Sequence, residues 1–112
     1  MTNSRQKGKR GERMAAAKLK ELGICKEARR TQQYCGYQES DADLKTDIDG
    51  IHFEVKFVER LNIHNALKQA ERDKMEEESS VVLHKKNREP WVIACYLDDW
   101  LTITKLLGEH ND

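Results

Sequence analysis

Residues 51–58 read Ile-His-Phe-Glu-Val-Lys-Phe-Val. Apolar side chains recur at every second position, which predicts a strand. Ile51, Phe53, Val55 and Phe57 fall on one face, with Glu54 and Lys56 on the other. Asp49-Gly50, just upstream, is a hairpin-type turn signal, and a short strand is expected over residues 43–46 before it. Downstream, Asn62 can cap a helix running to about residue 78, with Ile63, Ala66, Leu67 and Ala70 inward. Residues 80–85 read as a strand centred on Val81, Val82 and Leu83, and residues 87–90 as a turn. Residues 91–97 form the longest apolar run and are expected as a strand buried on both faces. Asp98 or Asp99 is the expected cap of a last helix carrying Trp100, Leu101, Ile103 and Leu107, ended by Gly108.

Towards the N-terminus, residues 1–7 read as a polar, mobile, basic arm. A helix is expected over residues 9–22, because Ala15, Ala16, Leu19 and Leu22 recur at helical spacing and Gly23 is a natural stop. Glu12 lies on that same stripe, where a carboxylate is costly unless something pairs with it. Residues 24–33 are strand-like, and residues 34–40 read as a loop around Gly36. The element order is therefore αβββαββα. This predicts an α/β fold in one domain, residues 8–112, with a central mixed sheet flanked by helices.

A chain of 112 residues can build one modest core. No stretch approaches a membrane span, and the charged N-terminus lacks an apolar signal region. Cys25, Cys35 and Cys95 are odd in number and form no CxxC, which predicts reduced thiols in a cytoplasmic setting and no structural zinc. The net charge is zero, yet residues 1–30 hold ten Lys or Arg against three Glu, a balance of +7 that leaves the rest at −7. One basic end on a neutral chain suits a polyanion footprint; a solvated helix face with a frayed tail would produce the same count.

The strand at 51–58 also carries chemistry. Two carboxylates on neighbouring strands can hold a magnesium ion, which prefers oxygen ligands and commonly takes only one or two protein carboxylates. Asp43 and Glu54 are the candidate ligands, with the backbone carbonyl of Val55 as a third oxygen. Manganese would substitute. Asp41, Asp47 and Asp49 compete with Asp43, which is preferred because Ala-Asp-Leu offers a small residue, a ligand and an apolar anchor. Lys56 would stand by the attacking water or the scissile phosphate, where its charge stabilises the transition state. Glu12 could reach the site directly or through a water. Alone, Glu-x-Lys is a weak signal; its place on a strand, after an acidic strand and a helix with an inward Glu, raises its value.

Asp-Ala-Asp-Leu (41–44) followed by Glu-Val-Lys (54–56), with Gly-Lys-Arg-Gly-Glu-Arg (8–13) upstream, resembles the PD-(D/E)xK nuclease superfamily. Within it the chain is most similar to archaeal Holliday-junction-resolving enzymes and phage-encoded resolvase-like nucleases. Lys7 to Arg13, Arg29 to Gly36, Gly50 to Lys56 and Asn87 to Trp91 carry the likeness. Ala42 stands where the family has Pro, and the spacer from Asp43 to Glu54 is short. The resemblance implies a restriction-endonuclease-like domain and a magnesium-dependent endodeoxyribonuclease that acts as a homodimer on branched DNA in recombination and repair. Glu12, Asp43, Glu54 and Lys56 would take the active-site roles. Gln69, one helix later, is either a helper glutamine or an ordinary boundary residue.

For DNA contact the candidates are Arg5, Lys7, Lys9, Arg10 and Arg13, then Arg29, Arg30, Gln32 and Gln33. Gly8 and Gly11 would let backbone approach phosphate. His52 reads as an edge-of-site histidine, and Trp91 and Trp100 as core or dimer surface. Two other readings stay open: a nicking or repair endonuclease acting on flap or duplex DNA, and a non-catalytic DNA-binding module of the same fold.

Overall fold

The computed structural model describes residues 4–31, 33–34, 37–38 and 43–111. The alternating segment folds as expected, into the strand β5 (Ile51–Phe57) at the centre of a five-stranded mixed sheet. In chain order, α1 (Ser4–Glu21) is followed by β1 (Ala28–Arg30), β2 (Gln33–Tyr34), β3 (Tyr37–Gln38), β4 (Leu44–Thr46) and β5. Then come α2 (Ile63–Asp73), β6 (Ser79–Lys85), β7 (Val92–Ala94) and α3 (Leu97–His110). The main sheet runs β1-β4-β5-β6-β7. Only β5 and β6 are parallel, because α2 supplies the crossover that a parallel pair requires. The segment read as a loop around Gly36 contains the small antiparallel hairpin β2–β3, with Gly36 itself outside the described residues.

Period-2 alternation sends the two faces of β5 and β6 into separate cores. Ile51, Phe53, Val81 and Leu83 pack with Ala15, Leu19 and Ile103 on the α1 and α3 side. Val82 packs with Ala66, Leu67 and Ala70 of α2 on the other. Gly11 sets how closely α1 can lie: a Cβ there would sit 2.7 Å from the Phe57 Cβ. Gly11 is therefore a packing glycine, buried against β5, and not a point of phosphate approach.

Several boundaries differ from the sequence reading. α1 begins at Ser4 and so takes in residues assigned to a mobile arm. Arg, Gln and Lys are good helix formers, and Gly8 weakens the helix by only about 1 kcal/mol. The helix ends as expected. Gly23 has φ +75, and the Gly23 and Ile24 amides donate to the Lys20 and Leu19 carbonyls in a Schellman arrangement.

Asn62 does cap α2, its side chain accepting from the Asn65 amide at 3.0 Å. The helix stops at Asp73 and does not reach residue 78. Residues 75–78 instead close a turn in which the Glu78 side chain accepts from the Met75 amide at 2.8 Å.

The strand expected to be buried on both faces is the sheet edge. β7 has β6 on one side only, and Val92 and Ile93 are half exposed. Tyr96, not Asp98 or Asp99, occupies the α3 cap. Both aspartates sit in the first turn, where they complement the helix dipole. Gly108 lies within α3 and does not end it.

Candidate functional site

The site forms where β4 and β5 part. Asp43 stands immediately before β4, its amide donating to the Phe53 carbonyl at 3.1 Å. Two residues further along β5 the backbone pairing has lapsed, and the Asp43 carboxylate takes its place. Asp43 Oδ2 accepts from the Val55 amide at 2.7 Å. In a strand the amide and carbonyl of one residue point to the same side, so the Val55 carbonyl is turned towards Asp43 as well. Among the described aspartates this distinguishes Asp43 from Asp47 and Asp49. Asp47 is committed elsewhere, accepting from the Glu27 amide and pairing with His110. Asp49 lies exposed in the turn, and Asp41 is outside the described residues.

Glu54 lies on the α2-facing side of β5 and is 1% exposed. Such a carboxylate needs a partner, and His52, two residues earlier on the same face, provides one: its Nε2 lies 2.8 Å from Glu54 Oε1. His52 is itself 1% exposed, so it is no edge-of-site histidine and cannot touch substrate. Burial alone would lower its pKa, but the hydrogen bond and charge of Glu54, with Glu78 and Asp73 behind, raise it above the ordinary value. The short contact between the two side chains holds Glu54 in place. The clue was available in the sequence, since residues two apart on a strand share a face.

Asp43 and Glu54 face each other. Burial first, and the Glu54 charge second, push the Asp43 carboxyl from near 3.8 up to about 7, with Glu12 adding to the rise. Glu12 comes from the first half of α1, where Arg30 of β1 donates to it at 3.2 Å. Burial raises the Glu12 carboxyl although Arg30 opposes the shift. Glu12, Asp43 and Glu54 thus sense one another. Among the described residues no three His, Cys, Asp or Glu side chains converge as a ready-made metal cage. A divalent cation here would rest on Asp43 and Glu54, with the Val55 carbonyl and solvent, and Glu12 would stand further off. The pair fits such an ion chemically: a buried and a half-buried carboxylate whose mutual repulsion helps raise the Asp43 pKa to about 7 would be relieved by a cation between them.

Lys56 is the next residue on the Glu54 side of β5, about 6.6 Å further along the strand. Its Nζ donates to Gln69 Oε1 at 2.9 Å, which ties the half-buried Gln69 of α2 to the lysine. The pair borders an open hollow of about 520 Å³, with Arg60, Lys68 and Arg72 on its walls and no carboxylate. Sequence reading passed over these three cations because the chain beyond residue 30 carries a net −7. Lys68 and Arg72 are four apart on α2, a spacing that marks one helix face.

The predicted DNA contacts divide. Lys9 and Arg13 are exposed on α1, and Arg29 is exposed on β1. Lys7 and Arg10 stand over the Phe57 ring at 5.0 and 5.2 Å. Arg30 is engaged with Glu12. Gln32 lies outside the described residues, as do the side chains of Arg5 and Gln33. The other histidines form no cluster: His84 bonds the Val58 carbonyl, and His110 pairs with Asp47. Cys25 and Cys95 are free thiols, and Cys35 lies outside the described residues. Among the described residues no helix is long and apolar enough to cross a membrane.

The chain matches no family model, no curated protein and no solved structure.

Proposed function

We propose that this protein is a divalent-metal-dependent endonuclease that hydrolyses phosphodiester bonds in branched DNA, with the four-way junction as its substrate. The observation that carries the reading is the Asp43–Glu54 pair at the parting of β4 and β5, with Lys56 next on the same side. Magnesium, or manganese in its place, would be held by Asp43, Glu54 and the Val55 carbonyl. When bound it supplies charge for the phosphate and a more acidic water.

The chain's own residues do the rest. His52 holds Glu54, and the Val55 amide holds Asp43, so both carboxylates are fixed before any ion arrives. Gln69 holds the Lys56 ammonium in the basic hollow, where it can meet a phosphate and offset the charge that builds on it. Lys9 and Arg13 on α1, and the cations around Lys56, suit the duplex backbone; such contacts position DNA without reading bases.

A homodimer would let two such sites cut a junction symmetrically. Its support is α3, where Leu97, Trp100 and Leu101 are exposed at helical spacing. The partner proposed for that face is a second copy of this chain, because a two-fold axis lets one patch cover itself.

The test is a panel of labelled four-way junction, flap and plain duplex with magnesium. The junction should be cut fastest. A preference for flap or duplex would make the protein a repair or nicking nuclease, and binding without cutting of any substrate would make it a DNA-binding module.

A further inference from the structure

On the α1 side of β5 the structure has a second basic hollow, of about 510 Å³, open to solvent. Its floor is the Phe57 ring, 5% exposed beneath α1 and the cations around it. Lys7, Arg10 and Lys85 stand 5.0, 5.2 and 5.6 Å from the ring centroid. Arg88 joins Arg10 and Lys85 in the wall. The one carboxylate there is Glu59, and its Oε2 is occupied by the Asn87 amide at 2.6 Å. Three cations from α1 and β6 therefore crowd one aromatic ring, and a fourth, Arg88 of the turn after β6, stands in the wall of the hollow. The ring quadrupole attracts those three weakly but does not neutralise their mutual repulsion.

The turn that brings Arg88 in is strained. Arg88 has φ 65, and among the described residues it is the one non-glycine with positive φ. Glycine or asparagine is the natural residue in that conformation. An arginine kept at a strained position on the rim of a cationic hollow points to a task for its charge.

We propose that this hollow is a phosphate-binding subsite for a nucleic-acid backbone, formed by Lys7, Arg10, Lys85 and Arg88 over Phe57. A polyanion fits better than a single small anion. The hollow is open, and the Lys56 hollow lies across β5 from it, both bordered by residues where β5 ends. Their linings alternate along residues 56–60, so a polyanion passing the end of β5 would meet both, whereas one free anion would meet one. The proposal rests on the DNA-binding part of the proposed function and not on cleavage, so the test is binding without metal.

Anisotropy of a labelled four-way junction in EDTA is measured across a salt series for the wild type, the Lys85→Gln/Arg88→Gln double variant, Arg88→Gly and Lys105→Gln. Lys105, exposed on α3 away from the hollow, is the control. The double variant should bind about three- to tenfold more weakly at about 100 mM salt, with the log–log salt slope shallower by about two. Arg88→Gly should also weaken binding while melting no lower than wild type, because it relieves the positive φ; a folding defect cannot produce that combination. Affinity and slope equal to wild type in both variants would overturn the subsite and leave the proposed nuclease standing. Weaker binding of inorganic phosphate with junction affinity unchanged would make it a free-anion site, also against the proposal. A wild type that binds no DNA would overturn both readings.

Discussion

Asp43 and Glu54 are two carboxylates in one partly dry place, and their behaviour with pH follows from that. The folded Asp43 carboxyl titrates near 7, above its ordinary value near 3.8. Between those values the folded chain holds a proton that the unfolded chain has lost, so this group's contribution to stability declines as pH rises through that window. A divalent cation that needs both carboxylates charged competes with the same proton. Magnesium should therefore raise the melting temperature more at about pH 8 than at about pH 5.5, and Asp43→Asn should abolish the difference. Equal magnesium shifts at the two pH values would place the ion elsewhere.

At this scale the sequence was partly legible. Period-2 geometry put Glu54 and Lys56 on one face without help. It could not choose among Asp41, Asp43, Asp47 and Asp49, because the choice depends on where β4 leaves β5, a tertiary fact. The role of His52 was missed because alternation was read for its apolar face and not for the pairing that a buried glutamate requires.

The elements were legible where periodicity was strong and less so at their ends. β5 and the inward stripe of α2 stand as read, and so does that of α1 except for Leu22, which is exposed where the helix ends. β7 was misjudged because a continuous apolar run reads as a buried strand, whereas here those side chains lie on the sheet edge. The turn after α2 is closed by the Glu78 bond to the Met75 amide, which composition does not reveal, and α3 starts after Tyr96 with no side-chain cap to mark it.

The two glycines of α1 give a test with opposite signs. A methyl at Gly8 meets nothing within 4 Å, so Gly8→Ala should stabilise the fold by about 0.5–1 kcal/mol. At Gly11 the methyl would meet the Phe57 Cβ at 2.7 Å, which no flexible side-chain end can evade. Gly11→Ala should destabilise by about 1–2 kcal/mol, the overpacking cost outweighing the helix gain. Urea unfolding of the two variants checks this; the same sign for both would mean that α1 does not lie on β5 as described.

For the whole molecule, neutrality of the chain conceals separation. Cationic hollows flank β5 where it ends, while α3 exposes Leu97, Trp100 and Leu101. On the proposed function the first surface would meet DNA and the second a further copy of the chain. Light scattering should give twice the chain mass for the wild type. Leu101→Glu, on a side chain 64% exposed, should give a folded monomer. A wild type that is monomeric at high concentration would remove the dimer from the account. Net charge showed a basic N-terminal end but not these surfaces, since Arg60, Lys68, Arg72, Lys85 and Arg88 come together only in the fold.

The central claim is that Lys56, aimed by Gln69 beside the Asp43–Glu54 pair, serves phosphodiester cleavage. Single-turnover cleavage of a four-way junction with magnesium, comparing wild type with Lys56→Gln, tests it most directly. Lys56 is only half buried, so the variant should fold. The wild type should cut, and the variant should bind the junction yet cut it about 100-fold or more slowly. Equal cleavage rates for the two proteins would contradict the account.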